Sequence, residues 1–469
     1  MKPYLMLGRR SAALVGAFML ASGVALGACG SVTDTLLDVE DPDLITQPSV
    51  NSPEGALALQ RGALDRFRDI TGGAESTWLF GGLLADEWST SSTFVQNDET
   101  DLRQIQTNNG SITGMLRNLG RVRTAANQAL AALKEYAPTN TAAPAEMYFA
   151  RGFAEMQMAS DFCNGIPLSD ATTVPITFGI PRSVQEVFTV ALASLDTALA
   201  VNTGTDALSL SIRNATRIAR GRVLLGLGRH ADAGAAVSAA PAIPTNFSYD
   251  HTFVTASGDN ILWSQSASAR RYTVGDSLEG NARNLLVRNA IPFFSSRDPR
   301  LPVTYTTSNG GRDTTKSQDG LTYSRTTTLY ARSSNLPVAN GIDARLIEAE
   351  AALKAGNAAG MLAILNALRA APPKIGEVQP AVLPPLTLPA TEAAQVDLLF
   401  REKAFWTFSR GQRLGDLRRL IRQYGRTPDN TFPTGTHYRG GTYGPDVNLP
   451  VVRDEQNNPN FTQCTNRNA

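Results

Sequence analysis

The chain has 469 residues, 42% of them hydrophobic and 18% charged, enough apolar material for one large domain or two closely packed ones. A net charge of +1 speaks against a nucleic-acid partner, because phosphate recognition leaves a basic excess. Beyond the first thirty residues no apolar run reads as long enough to cross a bilayer, so membrane contact is expected only at the N-terminus.

Met1 to Arg10 carries Lys2, Arg9 and Arg10 and no acid, and Ser11 to Ala25 is almost wholly apolar. The segment closes on Leu26-Gly27-Ala28-Cys29. A basic start, a short apolar run and small residues before the cut make a secretory signal. The ending resembles the bacterial lipobox, in which the cysteine sulfur takes a diacylglycerol. Residues 1–28 are therefore expected to be removed and Cys29 to anchor the protein at a bilayer surface. An ordinary signal peptide with an incidental cysteine is the alternative. Cys163 and Cys464 then remain in an oxidising compartment, where one disulfide is expected. Two isolated thiols are the alternative, since sequence does not supply bridging geometry.

Helical spacing dominates the body of the chain. Leu116, Leu119, Val122, Ala126, Leu130 and Leu133 lie on one face, and a second helix opens at Pro144 and runs through Phe149, Phe153 and Met156. Ser183-Val184-Gln185-Glu186 is a capping-box sequence, with Val187, Ala191 and Leu195 on the face behind it. Ala215 to Val237 reads as helix, tight turn, helix, the break falling at Leu225 to Ala233. The same grammar returns in Ala344 to Arg369, broken between Glu350 and Asn357. These two units resemble tetratricopeptide repeats, separated by a polar insertion from about Pro241 to Asn340 that should interrupt any array. Pro373 to Pro389 reads as a proline-rich loop.

No catalytic constellation stands out: there is no nucleophile elbow, no phosphate-cradling loop and no zinc-protease helix. His230, His251 and His437 have no ligand spacing, so neither metal nor other cofactor is expected. The acid pairs Asp86-Glu87 and Asp98-Glu99 are the kind any long chain offers by chance, and no enzymatic activity is expected from them. Trp88, Phe94, Trp263 and Tyr272 lie in polar loop sequence, where exposed rings could stack on sugar faces or simply plug loops onto a scaffold. Trp78 and Trp406, in helical surroundings, read as core.

An ordered set of segments resembles the SusD/RagB family of nutrient-binding outer-membrane lipoproteins. It comprises Leu37 to Asp43 after the lipid site, Gly82 to Glu87, Ala145 to Phe153 followed by Gly165-Ile166-Pro167-Leu168, and Phe293 to Arg300. Its most specific part is C-terminal: Arg401 to Trp406, Arg413 to Arg419, then Leu449-Pro450-Val451, Glu455 and Asn458-Pro459-Asn460. Cys163-Asn164 stands where the family often has an aromatic, and Gly411-Gln412 where it has glycine-histidine.

The resemblance implies a mainly α fold, a tetratricopeptide-like helix-pair scaffold with long irregular loops and little β. Residues 29–469 would form a single SusD-like domain: helix pairs over about 29–240, a loop-rich insertion over about 241–340, and a helical part with tail over about 341–469. It further implies a non-enzymatic protein on the exterior face of the outer membrane. Such a protein captures a glycan, an oligosaccharide or a peptide for a SusC-type TonB-dependent transporter. Family ligand residues vary, so position alone selects Trp88, Phe94, Trp263, Arg271 and Tyr272 as ligand-binding candidates. A helical-repeat scaffold for other envelope proteins, or a surface glycosidase, are the competing readings.

Overall fold

In a computed structural model of the chain, the described residues are 51–469 apart from 74, 75, 174, 255 and 257. The signal segment 1–28, Cys29 and the strip Leu37 to Asp43 lie outside the described residues.

Helix starts follow local chemistry. Helix α1 (Pro53–Gly72) begins where Ser52 Oγ accepts the Gly55 N–H at 3.0 Å and Pro53 occupies the first turn. Helix α2 (Thr77–Ala85) is buried on every side and leads into strand β1 (Trp88–Thr90) and helix α3 (Val95–Asp101). Helix α4 (Gly110–Tyr136) buries Leu116, Leu119, Val122, Ala126 and Leu133, the stripe its spacing predicts. Helix α5 (Ala142–Asp161) places Pro144 in its first turn. Helix α6 (Val184–Val201) carries the capping box, Ser183 and Glu186 each satisfying the other's backbone N–H.

Contrary to the sequence expectation, α6 is long and apolar enough to cross a membrane by length and composition. Here it packs Val187, Ala191 and Leu195 into the interior. Helices α7 (Ala207–Gly226) and α8 (His230–Ser238) flank a turn at Gly228, whose φ of 75° is a left-handed conformation that a side chain would strain.

The insertion leaves and returns through one neck: strand β2 (Ser248–His251) pairs antiparallel with a strand at Leu336–Asn340, aligning His251 with Leu336 and Ser248 with Asn340. Within it, a short helix α9 (Ile261–Trp263) runs into a π-turn at Ser264–Ser268 and then strand β3 (Tyr272–Val274). Trp263 is thus helical rather than in a loop. Strand β4 (Leu336–Asn340) feeds helix α10 (Gly341–Lys354), and Gly356 (φ 77°) turns the chain into α11 (Ala358–Ala370). Helices α12 (Glu392–Trp406) and α13 (Arg413–Tyr424) come after the proline-rich loop.

Neighbouring helices pack in order, α4 on α5, α5 on α6, α6 on α7 and α7 on α8, and α8 then packs on α10. The insertion interrupts the array in sequence but not in space, because its neck closes beside the α8–α10 contact. Residues 52–469 form one compact unit, with a continuous core that takes in Trp78, Phe153, Leu224, Phe293 and Trp406. Every ladder among the described residues has two strands. Cys163 and Cys464 are joined by a disulfide that ties the C-terminal tail to the end of α5.

Candidate functional site

The two stretches singled out as ligand loops come together although they are far apart in sequence. Strand β1 pairs antiparallel with β3, setting Trp88 opposite Val274, Ser89 opposite Thr273 and Thr90 opposite Tyr272. The ladder is buried throughout. Its polar side chains are answered: Ser89 Oγ donates to Glu279 at 2.8 Å, Thr90 Oγ1 to Asp98 at 3.0 Å, and the Thr90 N–H to Asp101 at 2.7 Å.

This pairing corrects the reading of Trp88 as an exposed ligand platform. Trp88 is 1% exposed, packs on Phe408 with ring centres 5.0 Å apart, and donates its indole N–H to Ser409 Oγ at 3.1 Å. Tyr272, 2% exposed, lies edge-on to Trp88. Both rings are interior because the strand pairing turns their faces inward. Trp263 is half-buried with the Arg332 guanidinium 6.0 Å from its ring. It is not part of the cleft wall, although its neighbours Ile261 and Ser264 are.

Above the ladder opens a cleft of ≈ 680 Å³. Its walls come from the end of α1 (Arg68, Asp69), the stretch Phe94 to Asn97, the first turns of α4, and the insertion at Phe253 and between Gly258 and Tyr272. Of the five candidates, Phe94, Arg271 and Tyr272 line it, Tyr272 as buried floor. Phe94 is 46% exposed even though the Arg271 guanidinium sits 4.6 Å from its ring centre. The sequence reading missed Arg68, Phe253 and Gln265. The first lies on a helix, and nothing local marks the other two.

Arg271 is held firmly: its N–H donates to Gln265 O at 2.9 Å and its C=O accepts from Ser91 N at 3.0 Å. Its Nη1 reaches Gln265 Oε1 at 3.3 Å, while its buried Nε has no hydrogen-bond partner. Asp259 pairs with Arg332 at 2.7 Å and Arg68 with Asp65 at 2.5 Å. Burial, reinforced by Asp65, raises the Asp69 carboxyl above its usual range, although Arg68 and Arg66 pull the other way. The cleft therefore offers an exposed ring, amide groups, two guanidinium groups and the carboxyls of Asp69 and Asp259.

The adjacent acids noted in sequence are engaged elsewhere. Asp86 takes a two-pronged bond from Arg413 at 2.8 and 2.9 Å. Both Asp98 oxygens accept from Arg439 Nη1 at 2.8 Å. Burial pushes the Glu87 carboxyl up to about 8, against the Ser409 N–H that donates to it at 2.9 Å. Among the described residues no group of three or more His, Cys, Asp or Glu is placed to hold a metal ion.

No protein-family model matches the chain, and no curated protein matches it in sequence. Solved structures do. A SusD superfamily protein from Bacteroides vulgatus superposes with a TM-score of 0.60 at 15% identity, over 89% of this chain and 99% of that one. A SusD-like carbohydrate binding protein from Bacteroides fragilis gives 0.61 at 14%, over 88% and 99%. Another, from Bacteroides vulgatus, gives 0.59 at 11%, over 87% and 97%. The fold of the chain is SusD-like and mainly helical.

Proposed function

From the SusD-like fold, we propose that this chain is a glycan-capturing lipoprotein of the outer membrane, anchored through Cys29 and facing the exterior. It holds its ligand in the cleft at Phe94 and Arg271 and passes it to a SusC-type TonB-dependent transporter. The observation that carries this reading is the cleft itself, built where the insertion meets the helical array and carrying a half-exposed ring beside a guanidinium. Two of the similar structures are described as SusD-like carbohydrate binding proteins, which supports a glycan over a peptide. A purely scaffolding protein would leave its helical array as the interaction surface and would have no use for this cleft. Of the adjacent acids noted in sequence, Asp86 and Asp98 are held by Arg413 and Arg439, which ties them into the structure.

The test has three readouts on the full-length protein. Radiolabelled fatty acid should enter the native chain and not Cys29→Ser. A large barrel protein should co-purify from detergent-solubilised membranes, and a glycan panel should yield a ligand that survives without turnover. Labelling that persists in Cys29→Ser, or a panel on which products appear, would overturn the reading.

A further inference from the structure

We propose that the cleft selects glycans bearing a carboxylate, the uronic-type sugars, with Arg271 as the group that binds the anion. This rests on the glycan-capture reading and sharpens its substrate class. Among the cleft's charged side chains, Arg271 stands apart. Arg68 is paired with Asp65, and Asp259 with Arg332, while Asp69 lies in the field of Arg68 and Arg66. Arg271 has no ion-pair partner among the described residues; its side chain makes one 3.3 Å bond to the neutral Gln265 amide and leaves a buried Nε–H unanswered. A guanidinium partly removed from water and facing no anion is disfavoured by itself, and a planar carboxylate that accepts from its Nη groups relieves that.

The geometry also fits the way a uronic acid is built. Its carboxylate is bonded directly to the pyranose ring, so a sugar packed against the exposed part of Phe94, beside the guanidinium that covers the phenyl group at 4.6 Å, carries its charge next to that cation. A neutral hexose would present a hydroxymethyl there and leave the guanidinium unmatched. Arg271 is also fixed before any ligand arrives. Its backbone is bonded on both sides, to Gln265 and Ser91, and the left-handed turn at Arg270 (φ 54°) sets the chain direction just before it. Asn97 and Asn118 line the same cleft and supply amides for hydroxyl groups.

Titration calorimetry on the full-length protein tests this with matched oligosaccharides: uronate oligomers, the same oligomers with their carboxyls reduced to alcohols, and sulfated glycans. The uronate is expected to bind about tenfold to a hundredfold more tightly than its reduced form, the weight of hydrogen bonds to a charged group. Arg271→Gln should cost the uronate oligomer far more affinity than the reduced one and so erase that advantage. Arg271→Lys, which keeps the charge and loses the fork, should fall between. Phe94→Ala should weaken both ligands alike. Equal affinity for uronate and reduced oligomer, an advantage that survives Arg271→Gln, or a preference for sulfated glycans would each overturn the carboxylate assignment and leave glycan capture standing. Failure of every glycan class to bind would overturn both.

Discussion

Trp88 and Phe94 belong to one short stretch of chain and do different work. Trp88 fills the space between Tyr272 and Phe408 with its indole N–H satisfied, so truncating it opens a cavity and strands Ser409 Oγ. Trp88→Ala should cost about 3–5 kcal/mol in a denaturant titration. Phe94→Ala, at a half-exposed ring, should stay within about 0.5 kcal/mol yet weaken glycan binding. The reverse pattern would exchange their roles. Acids under the ladder make a second residue-level prediction. Glu87 and Glu279 are both pushed up to about 8, by burial first, with hydrogen bonds from Ser409 and Ser89 opposing it. Unfolded, each would titrate near its ordinary 4.5, so across the interval up to 8 the folded chain keeps protons that the unfolded chain gives up. That contribution is complete below 4.5 and is lost as pH rises through 8. Asp161, raised to about 7, acts in the same sense. His251, pushed down to about 3, opposes it only below its ordinary 6.5. Above about pH 6.5 the melting temperature should therefore fall, each carboxyl contributing at most about 1.4 kcal/mol per pH unit. Glu87→Gln and Glu279→Gln should each flatten that decline, and an unaltered slope would refute the assignment.

At the scale of elements, α13 shows what local sequence conceals. Arg413-Leu414-Gly415-Asp416-Leu417-Arg418-Arg419 is rich in arginine, yet Arg413, Arg418 and Arg419 are buried. Arg413 grips Asp86 just past α2, Arg419 grips Glu350 on α10, and Arg418 donates to the Ala159 and Ser160 carbonyls on α5. The helix is a clamp across segments distant in sequence. Asp86→Ala would leave the Arg413 charge buried and unpaired and should cost about 3–5 kcal/mol. Adding Arg413→Met should recover most of that loss, and a double variant as unstable as the single one would show that the pair is not the cause. The disulfide is a second long-range tie, closing a sequence separation of 301 residues. Reduction should cost about 2–5 kcal/mol and expose the tail after Leu449 to proteases, read by melting and limited digestion. Caps and turns were legible because they are local: the Ser183–Glu186 box and the breaks at Gly228 and Gly356 lie where the residue pattern puts them. The partners of α13 and the neck pairing of β2 with β4 were not, since both depend on chain returning from far away.

For the whole molecule, the same division explains how much of the site could be read. The two stretches singled out in the sequence meet through β1 and β3, which places Phe94 and Arg271 on one cleft. The sequence reading misjudged Trp88 and Tyr272 because it took polarity for exposure: Ser89, Thr90 and Thr273 are polar yet buried, each with hydrogen-bond partners no local pattern could announce. It missed the contribution of α1 for the same reason, since only the folded array brings Arg68 opposite the insertion. A cleft assembled this way makes a demand on the entire unit. Its walls belong to α1, α4 and the stretch Phe94 to Asn97 on one side and to the insertion on the other, so a ligand that fills it must tie them together. Binding should then raise overall stability, by about 2.7 kcal/mol at a ligand concentration about one hundred times the Kd. Amide exchange should slow in both walls at once, around Phe94 to Asn97 and around Phe253 to Tyr272, while α11, remote from the cleft, stays unchanged. Protection confined to one wall would mean that the ligand sits on a surface rather than in the cleft, and the binding residues would have to be sought elsewhere on that wall.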